Sequence, residues 1–280
     1  MSIVLKIIVL ELLNWEINDI IFIANNMAGD LFGVKLIIRR SDMTVAAFFD
    51  IDGTLYREGL ITELFKKLIK YEIIEMDKWY SEVRPEYENW DKRQGNYDSY
   101  LLKMVEIFIQ SVKGLHRIQL EFIAKNIISQ KGDRVYTFTR DKILWHKEQG
   151  HKVITVSGSP MELIVEMAAK YGFDDYIGTI YKMDENETYT GEVIPMWDSE
   201  SKKKAIEGFI KKYDIELDKS YAYGDSSGDI AMLEMVEYPT CVNPTKELVT
   251  IAKHHPFLSQ NLQVVVERKD VIYRLKPENI

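Results

Sequence analysis

Asp50 and Asp52 flank Ile51 at the end of the apolar run Val45-Ala46-Ala47-Phe48-Phe49, and Gly53-Thr54 follow them. Such a run reads as a strand covered on both faces, and carboxylates cannot continue it as core, so it ends in a polar loop. In an extended backbone, residues two apart leave on the same side. Two like charges held close then call for a cation or a raised pKa. Two later stretches end the same way: the strand pattern Lys152 to Val156 runs into Ser157-Gly158-Ser159-Pro160, and Tyr221 to Tyr223 runs into Gly224-Asp225-Ser226-Ser227-Gly228-Asp229. Open parallel sheets bind ligands at such strand ends. A helix from Ser201 to Tyr213 opens with Lys202-Lys203-Lys204 and adds a cation. Nucleophile, cation, hydroxyl and amide donors and a proton-carrying carboxyl are the parts that phosphoryl transfer needs. A ligand set made only of oxygen favours a hard ion, Mg²⁺ over zinc, in keeping with a sequence that has no Cys or His cluster.

The elements that must position these residues are legible in outline. From Val135 onward, helix and strand patterns alternate, which is the signature of an α/β fold with a parallel sheet. Pro160 suits the first turn of a helix carrying Leu163, Ile164, Met167 and Ala168. Tyr176 to Ile180 and Tyr189 to Ile194, parted by Asp184-Glu185-Asn186-Glu187, read as a hairpin on the sheet's margin. A helix through Ile230, Leu233 and Val236, a strand from Tyr238 to Val242 and a helix from Thr245 to Ala252 complete the pattern, leaving a tail expected to cover the sheet edge. Residues 57–136 differ. Leu60, Leu64, Leu68 and Ile61, Phe65, Ile69 are spaced for helix faces, as are Tyr100 to Val112 and Ile118 to Ile128. This block reads as a helical insert. Trp79, Tyr80, Tyr87, Trp90, Tyr97 and Tyr100 are core at helical spacing or the lining of a pocket, and Arg84 and Arg93 are surface charges or contacts for a substrate anion.

Composition narrows the function. A chain of 280 residues with 46% hydrophobic and 29% charged side chains builds an ordinary globular core. A net charge of -8 gives no general attraction to phosphate backbones, which argues against nucleic acid as the main partner. One cysteine, Cys241, makes no intrachain disulfide, so a cytoplasmic setting is expected. Residues 1–42 are rich in Ile, Leu and Val, but Lys6, Glu11, Glu16 and Asp19 interrupt every window, short of the roughly 18 to 20 apolar residues of a spanning helix. Two readings stand for them: a helix through residues 1–24 laid on the core or on a membrane surface, and an extension ahead of a true start at Met43, with Arg39-Arg40-Ser41 encoded by a purine-rich ribosome-binding tract.

Taken together, the motifs resemble those of the haloacid dehalogenase (HAD) superfamily phosphatases, in particular the phosphoserine-phosphatase-like branch, over residues 44 to 258. Asp50-Ile51-Asp52-Gly53-Thr54 is similar to that family's first motif, Ser157 to its second, Lys202 (four residues before Ile206) to its third, and Gly224-Asp225-Ser226-Ser227-Gly228-Asp229 to its fourth. Lys203 and Lys204 compete for the third position. The resemblance implies a Rossmann-like three-layer α/β core with a parallel sheet (43–56 and 137–280) and an inserted helical cap (57–136). It implies an aspartyl-phosphate on Asp50, general acid and base work by Asp52, and a phosphoryl group held by Gly53, Thr54, Ser157, Gly158 and Lys202. It further implies Mg²⁺ on Asp50, the Asp52 carbonyl and Asp225, with Asp229 in support. The substrate it implies is a small phosphomonoester. Phosphoserine is not favoured, because Gly59 stands nine residues after Asp50, where the family's phosphoserine enzymes carry a glutamate for the substrate amine. A phosphotransferase using the same aspartyl-phosphate and a non-catalytic binding protein of the same fold are the alternatives.

Overall fold

The computed structural model of the protein describes residues 44–95 and 97–280. The chain divides into Met1–Asp42 and Met43–Ile280, and the readings made for residues 1–42 lie outside the described residues. No helix among the described residues is long and apolar enough to cross a membrane.

Strand β1 (Ala46–Phe49) is buried at all four positions. Alternate side chains leave a strand on opposite faces. Accordingly, Ala47 and Phe49 enter one apolar cluster, while Ala46 and Phe48 enter another on the far side of the sheet. Full burial of each phenylalanine is worth about 1.5–3 kcal/mol, and the Phe49 ring also stacks on Tyr223 with centroids 4.4 Å apart.

Between β1 and the next strand lie helices α1 (Leu60–Lys70), α2 (Arg84–Asp91), α3 (Tyr97–Val112), α4 (Arg117–Lys131) and α5 (Thr137–Glu148). The helical expectation for this stretch holds, and the chain leaves and re-enters the sheet at one place: Tyr56 bridges Val135, the Arg57 amide donates to Arg134 O (3.0 Å) and the Tyr136 amide to Leu55 O (2.9 Å). Then follow β2 (Lys152–Pro160), α6 (Met161–Tyr171), β3 (Asp175–Met183), β4 (Tyr189–Ile194), α7 (Ser199–Tyr213), β5 (Tyr221–Gly224), α8 (Ile230–Glu234), β6 (Tyr238–Val242), α9 (Lys246–His254), α10 (Leu258–Asn261), β7 (Gln263–Arg268) and β8 (Val271–Leu275). Pro160 stands one residue earlier than expected, as the cap before α6, and α6 stops at Gly172 in the left-handed region (φ +66).

The strands form one sheet in the order β4-β3-β2-β1-β5-β6-β7-β8. Its inner members are parallel, and only the two margins, β4 and β8, run antiparallel. The expected hairpin is therefore present as β3 and β4. The tail covers the β6 edge as expected, but it does so by adding two strands, β7 and β8, that the sequence reading did not assign. The signal was weak because the turn between them is Lys269-Asp270, with Lys269 at φ 57, and lacks the Asn-Gly or Gly pair that marks a tight hairpin. Helices α5 and α6 pack on the Phe49 face, and α7, α8 and α9 on the Phe48 face, giving three layers with β1 in the middle.

Candidate active site

Phe49 pairs with Thr155 on one side and Tyr223 on the other, so β2, β1 and β5 end side by side and their following residues share one crevice. The Asp50 amide donates to Tyr223 O (2.9 Å), which fixes where the chain turns out of the sheet. Asp50 is 4% exposed, Lys202 3% and Asp229 0%. Lys202 Nζ donates to Asp50 Oδ1 (2.7 Å) and to Asp229 Oδ1 (2.6 Å). Lys203 and Lys204 are exposed, which resolves the competition within the lysine run. Helical periodicity explains it: Lys202 shares the inward face with Ile206 and Phe209, whereas its neighbours point outward. The helix itself is anchored at its start by the Asp198 carboxylate, which accepts from the Ser201 amide (2.9 Å), a cap worth about 1 kcal/mol.

Asp229 sits at the end of the turn after β5, with both oxygens engaged. Oδ1 takes the lysine, and Oδ2 accepts from the amides of Asp225 (3.0 Å) and Ser226 (3.1 Å). Asp225 in turn accepts from Thr54 Oγ1 (3.3 Å). Gly53 adopts φ +81, and a Cβ there would collide with the Asp225 carboxylate, so glycine is required on both counts. Asp50, Asp225 and Asp229 each bring a carboxylate oxygen within 4.8 Å of the others.

Three carboxylates facing one ammonium leave an excess of two negative charges in a buried place. The consequences have opposite signs on the two kinds of group. Burial disfavours the Lys202 charge, but Asp229 and Asp50 outweigh it and hold the ammonium well above the ordinary lysine range. Burial, then Asp229 and Asp52, push the Asp50 carboxyl up to about 8 in spite of Lys202. Burial, with Asp229 and Asp50, pushes Asp225 well above the carboxylate range too. A divalent cation would cancel this excess, and the all-oxygen donor set fits a hard ion such as Mg²⁺.

Asp52 is held by its own hydrogen-bond partners, and its charge helps to raise the Asp50 carboxyl, in keeping with the expected like-charged pair. The strand ends at Phe49, so strict alternation no longer governs Asp50 and Asp52. Asp52 Oδ1 accepts from the Leu60 amide at the start of α1 (2.6 Å), and Oδ2 accepts from Ser159 Oγ (2.6 Å) and Ser157 Oγ (3.3 Å). Burial raises its pKa, opposed by those hydrogen bonds. The direction suits a carboxyl that must carry a proton. Its carbonyl accepts no backbone hydrogen bond from a described residue.

Ser157 and Gly158 stand at the end of β2 as expected, but the shorter contact to Asp52 comes from Ser159. Residues 157 and 159 share a strand face, a period-two signal that was available in the sequence. Trp197 was invisible there. Cβ atoms placed on Gly158 and Gly228 would each run into it (Trp197 Cβ at 3.0 Å, Trp197 O at 2.5 Å), so this indole-bearing loop packs between the second and fourth motifs. Of the aromatic residues in the helical segment, Tyr100 is buried, Tyr80 is 53% exposed, and Trp79, Tyr87, Trp90 and Tyr97 are half-buried in a mutual cluster. Arg84 pairs with Glu88 (2.7 Å) and Arg93 lies over Trp90 (5.7 Å), which leaves both at the surface.

A profile of the haloacid dehalogenase-like hydrolases matches residues 47–234, from β1 through α8. The chain belongs to this family. A Streptomyces azureus protein named for inhibition of morphological differentiation is 25% identical over 228 residues, covering 80% of this chain and 81% of that protein. A Mycobacterium tuberculosis phosphoserine phosphatase is 24% identical over 216 residues, covering 76% of this chain and 69% of its own length. A solved phosphoserine phosphatase, captured as a phospho-aspartyl intermediate analogue, shares the fold with a TM-score of 0.52 at 19% identity, over 81% of this chain and 95% of that one. The enzyme is thus a HAD hydrolase whose named relatives include phosphatases.

Proposed function

We propose that this hydrolase is a Mg²⁺-dependent phosphatase of small phosphomonoesters that works through an aspartyl-phosphate on Asp50. The observation that carries the proposal is the buried excess of negative charge around Asp50, Asp225 and Asp229, with Lys202 bonded to the proposed nucleophile at 2.7 Å. Asp50, Asp225 and the Asp52 carbonyl would hold the ion, because both Asp229 oxygens are already engaged by protein donors. Bound there, Mg²⁺ would supply positive charge that offsets the phosphoryl oxygens. Lys202 fixes Asp50 Oδ1, and no hydrogen bond from a described residue engages Oδ2. Gly53, Thr54, Ser157 and Gly158 surround the place a phosphoryl group would occupy.

The reaction has two halves. An Asp50 carboxylate oxygen bonds to phosphorus as the bond to the ester oxygen breaks, and Asp52 gives its proton to that leaving oxygen. Water then attacks the same phosphorus, Asp52 takes its proton, and Asp50 and inorganic phosphate separate. The raised pKa of Asp52 supports the first role, and deprotonation in that step prepares it for the second. The helices of 57–136 act as a cap over a core of 43–56 and 137–280, a division supported by the shared exit and return at Tyr56 and Val135. A small ester partner and a cytoplasmic setting complete the reading, the latter resting on the single buried Cys241. The test is phosphate release from a phosphomonoester panel with Mg²⁺ or with EDTA. Release that needs the ion supports the proposal, and equal rates under both conditions contradict it. Turnover that instead rises with added alcohol acceptor would make the enzyme a phosphotransferase.

A further inference from the structure

Gly59 precedes α1, whose first amide, that of Leu60, binds Asp52. Position 59 therefore lies on the wall next to the proposed general acid. A side chain there would be met by the Tyr97 hydroxyl from α3, 3.0 Å from an added Cβ, and by Thr62 Oγ1 at 3.4 Å. The space that glycine leaves is thus taken by a phenol reaching over from another helix.

That phenol is held firmly. Its ring meets Trp90 with centroids 5.2 Å apart and Tyr100 at 5.8 Å, and Tyr100 is itself buried. The Tyr97 hydroxyl exchanges no hydrogen bond with a described residue, which leaves it able to donate to or accept from a ligand. It also is not among the sealed polar atoms that lack one, which are those of Tyr56, Arg117, Glu162 and Asn243. The hydroxyl is therefore not sealed from solvent, and it stands beside position 59 next to the Asp52 loop. Burial and then the charge of Asp52 push its pKa up, which agrees with a phenol that faces the acidic crevice and stays protonated as a donor. Ionic partners close by are already matched: Glu58 with Arg134 (2.7 Å), Arg57 with Glu267 (3.6 Å), and Glu63 with Lys131.

We propose that Tyr97, standing in the space left by Gly59, is a specificity-determining residue that hydrogen-bonds a hydroxyl of the leaving alcohol, so that the preferred substrates are phosphate esters of uncharged, hydroxylated alcohols. The inference rests on the phosphatase reading above. A phenol beside Asp52 can donate to, or accept from, a hydroxyl one or two carbons from the ester oxygen, while Glu58, the carboxylate next to position 59, is already paired with Arg134. A site built to bond a hydroxyl discriminates strongly against an analogue that lacks it.

The experiment compares kcat/KM of the full chain, with Mg²⁺, on glycerol phosphate, propyl phosphate and O-phosphoserine. Wild type is expected to favour glycerol phosphate over both. Tyr97→Phe, which keeps the ring and its packing, is expected to lower the glycerol to propyl ratio about tenfold, chiefly through KM. Gly59→Ala, whose Cβ displaces the hydroxyl, is expected to lower it in the same direction. A ratio unchanged in Tyr97→Phe, or a wild type that favours O-phosphoserine, overturns the inference and leaves the phosphatase reading standing. A wild type that releases phosphate from none of the esters overturns both.

Discussion

Two buried carboxylates, Asp50 at the end of β1 and Glu63 on α1, have nearly the same exposure and opposite electrostatics. Glu63 is 2% exposed and pairs with Lys131, Lys66 (3.4 Å) and Arg134 (3.7 Å). Against the burial that pushes it up, those lysines hold its carboxyl below the ordinary range. Asp50 shares one lysine with Asp229, beside Asp225 and Asp52, and its carboxyl is pushed up to about 8. The difference lies in the count of partners. Around Glu63 positive charge is in surplus, and the ion cluster ties α1 to α4. Around Asp50 negative charge is in surplus, which is where the proposed cation would bind. A buried acid with matched partners is architecture, and one left short of charge marks chemistry.

The comparison breaks most visibly at Lys202. Lys202→Met strands Asp50 and Asp229 without the one cation that pairs with them among the described residues, and we expect a loss of about 3–5 kcal/mol in chemical denaturation together with at least about 100-fold slower phosphate release. An intact denaturation midpoint in this variant would show that the surplus of negative charge is not there. Gly53→Ala comes next. The side chain must collide with Asp225 at a backbone angle that disfavours it, at a cost of about 1–3 kcal/mol, and Mg²⁺ affinity measured by calorimetry should fall alongside activity. Glu63→Gln sharpens the contrast, with about 1–3 kcal/mol lost in stability and turnover close to wild type.

pH separates the two acids by sign. A carboxyl whose folded pKa is raised adds stability that is fully present below its ordinary value and lost as pH rises through the folded value. A lowered one adds stability present above its ordinary value and lost as pH falls. In EDTA, Asp50 should therefore make the melting temperature fall as pH climbs from 3.8 toward about 8, and Mg²⁺ should restore it at the alkaline end. Glu63 acts in the acid range, so Glu63→Gln should leave that alkaline slope as it is. The smallest effect is reserved for Lys203→Met, whose exposed side chain belongs to neither region, and stability should stay within about 0.5 kcal/mol of wild type.

The site was far more legible in the sequence than the segment that faces it. Asp50, Asp52, Ser157, Lys202, Asp225 and Asp229 each stand at a strand end or on a helix face that local periodicity defines, so short motifs place them. Ser159 was within reach of the same logic, two residues beyond Ser157. Trp197 was not, and Tyr97 was legible only as one of six aromatic residues that could be core or pocket lining, because their positions depend on how a loop and two helices pack across the molecule, and no spacing encodes that. The tail shows a second kind of miss: Val264 and Val265 are buried as a strand requires, but β8 presents Val271, Ile272 and Tyr273 largely exposed, and its turn lacks glycine. The like-charge expectation for Asp50 and Asp52 holds in the electrostatics, since the Asp52 charge helps to raise the Asp50 carboxyl, even though the strand itself ends at Phe49.

The central claim is that Asp50 carries the phosphoryl group during turnover. Acid quenching of the enzyme during turnover of a radiolabelled phosphomonoester tests it directly. The account predicts label retained on the protein, released by hydroxylamine as an acyl phosphate, mapped to the peptide containing Asp50, and absent from Asp50→Asn. Label that persists in Asp50→Asn, or that resists hydroxylamine, would contradict it.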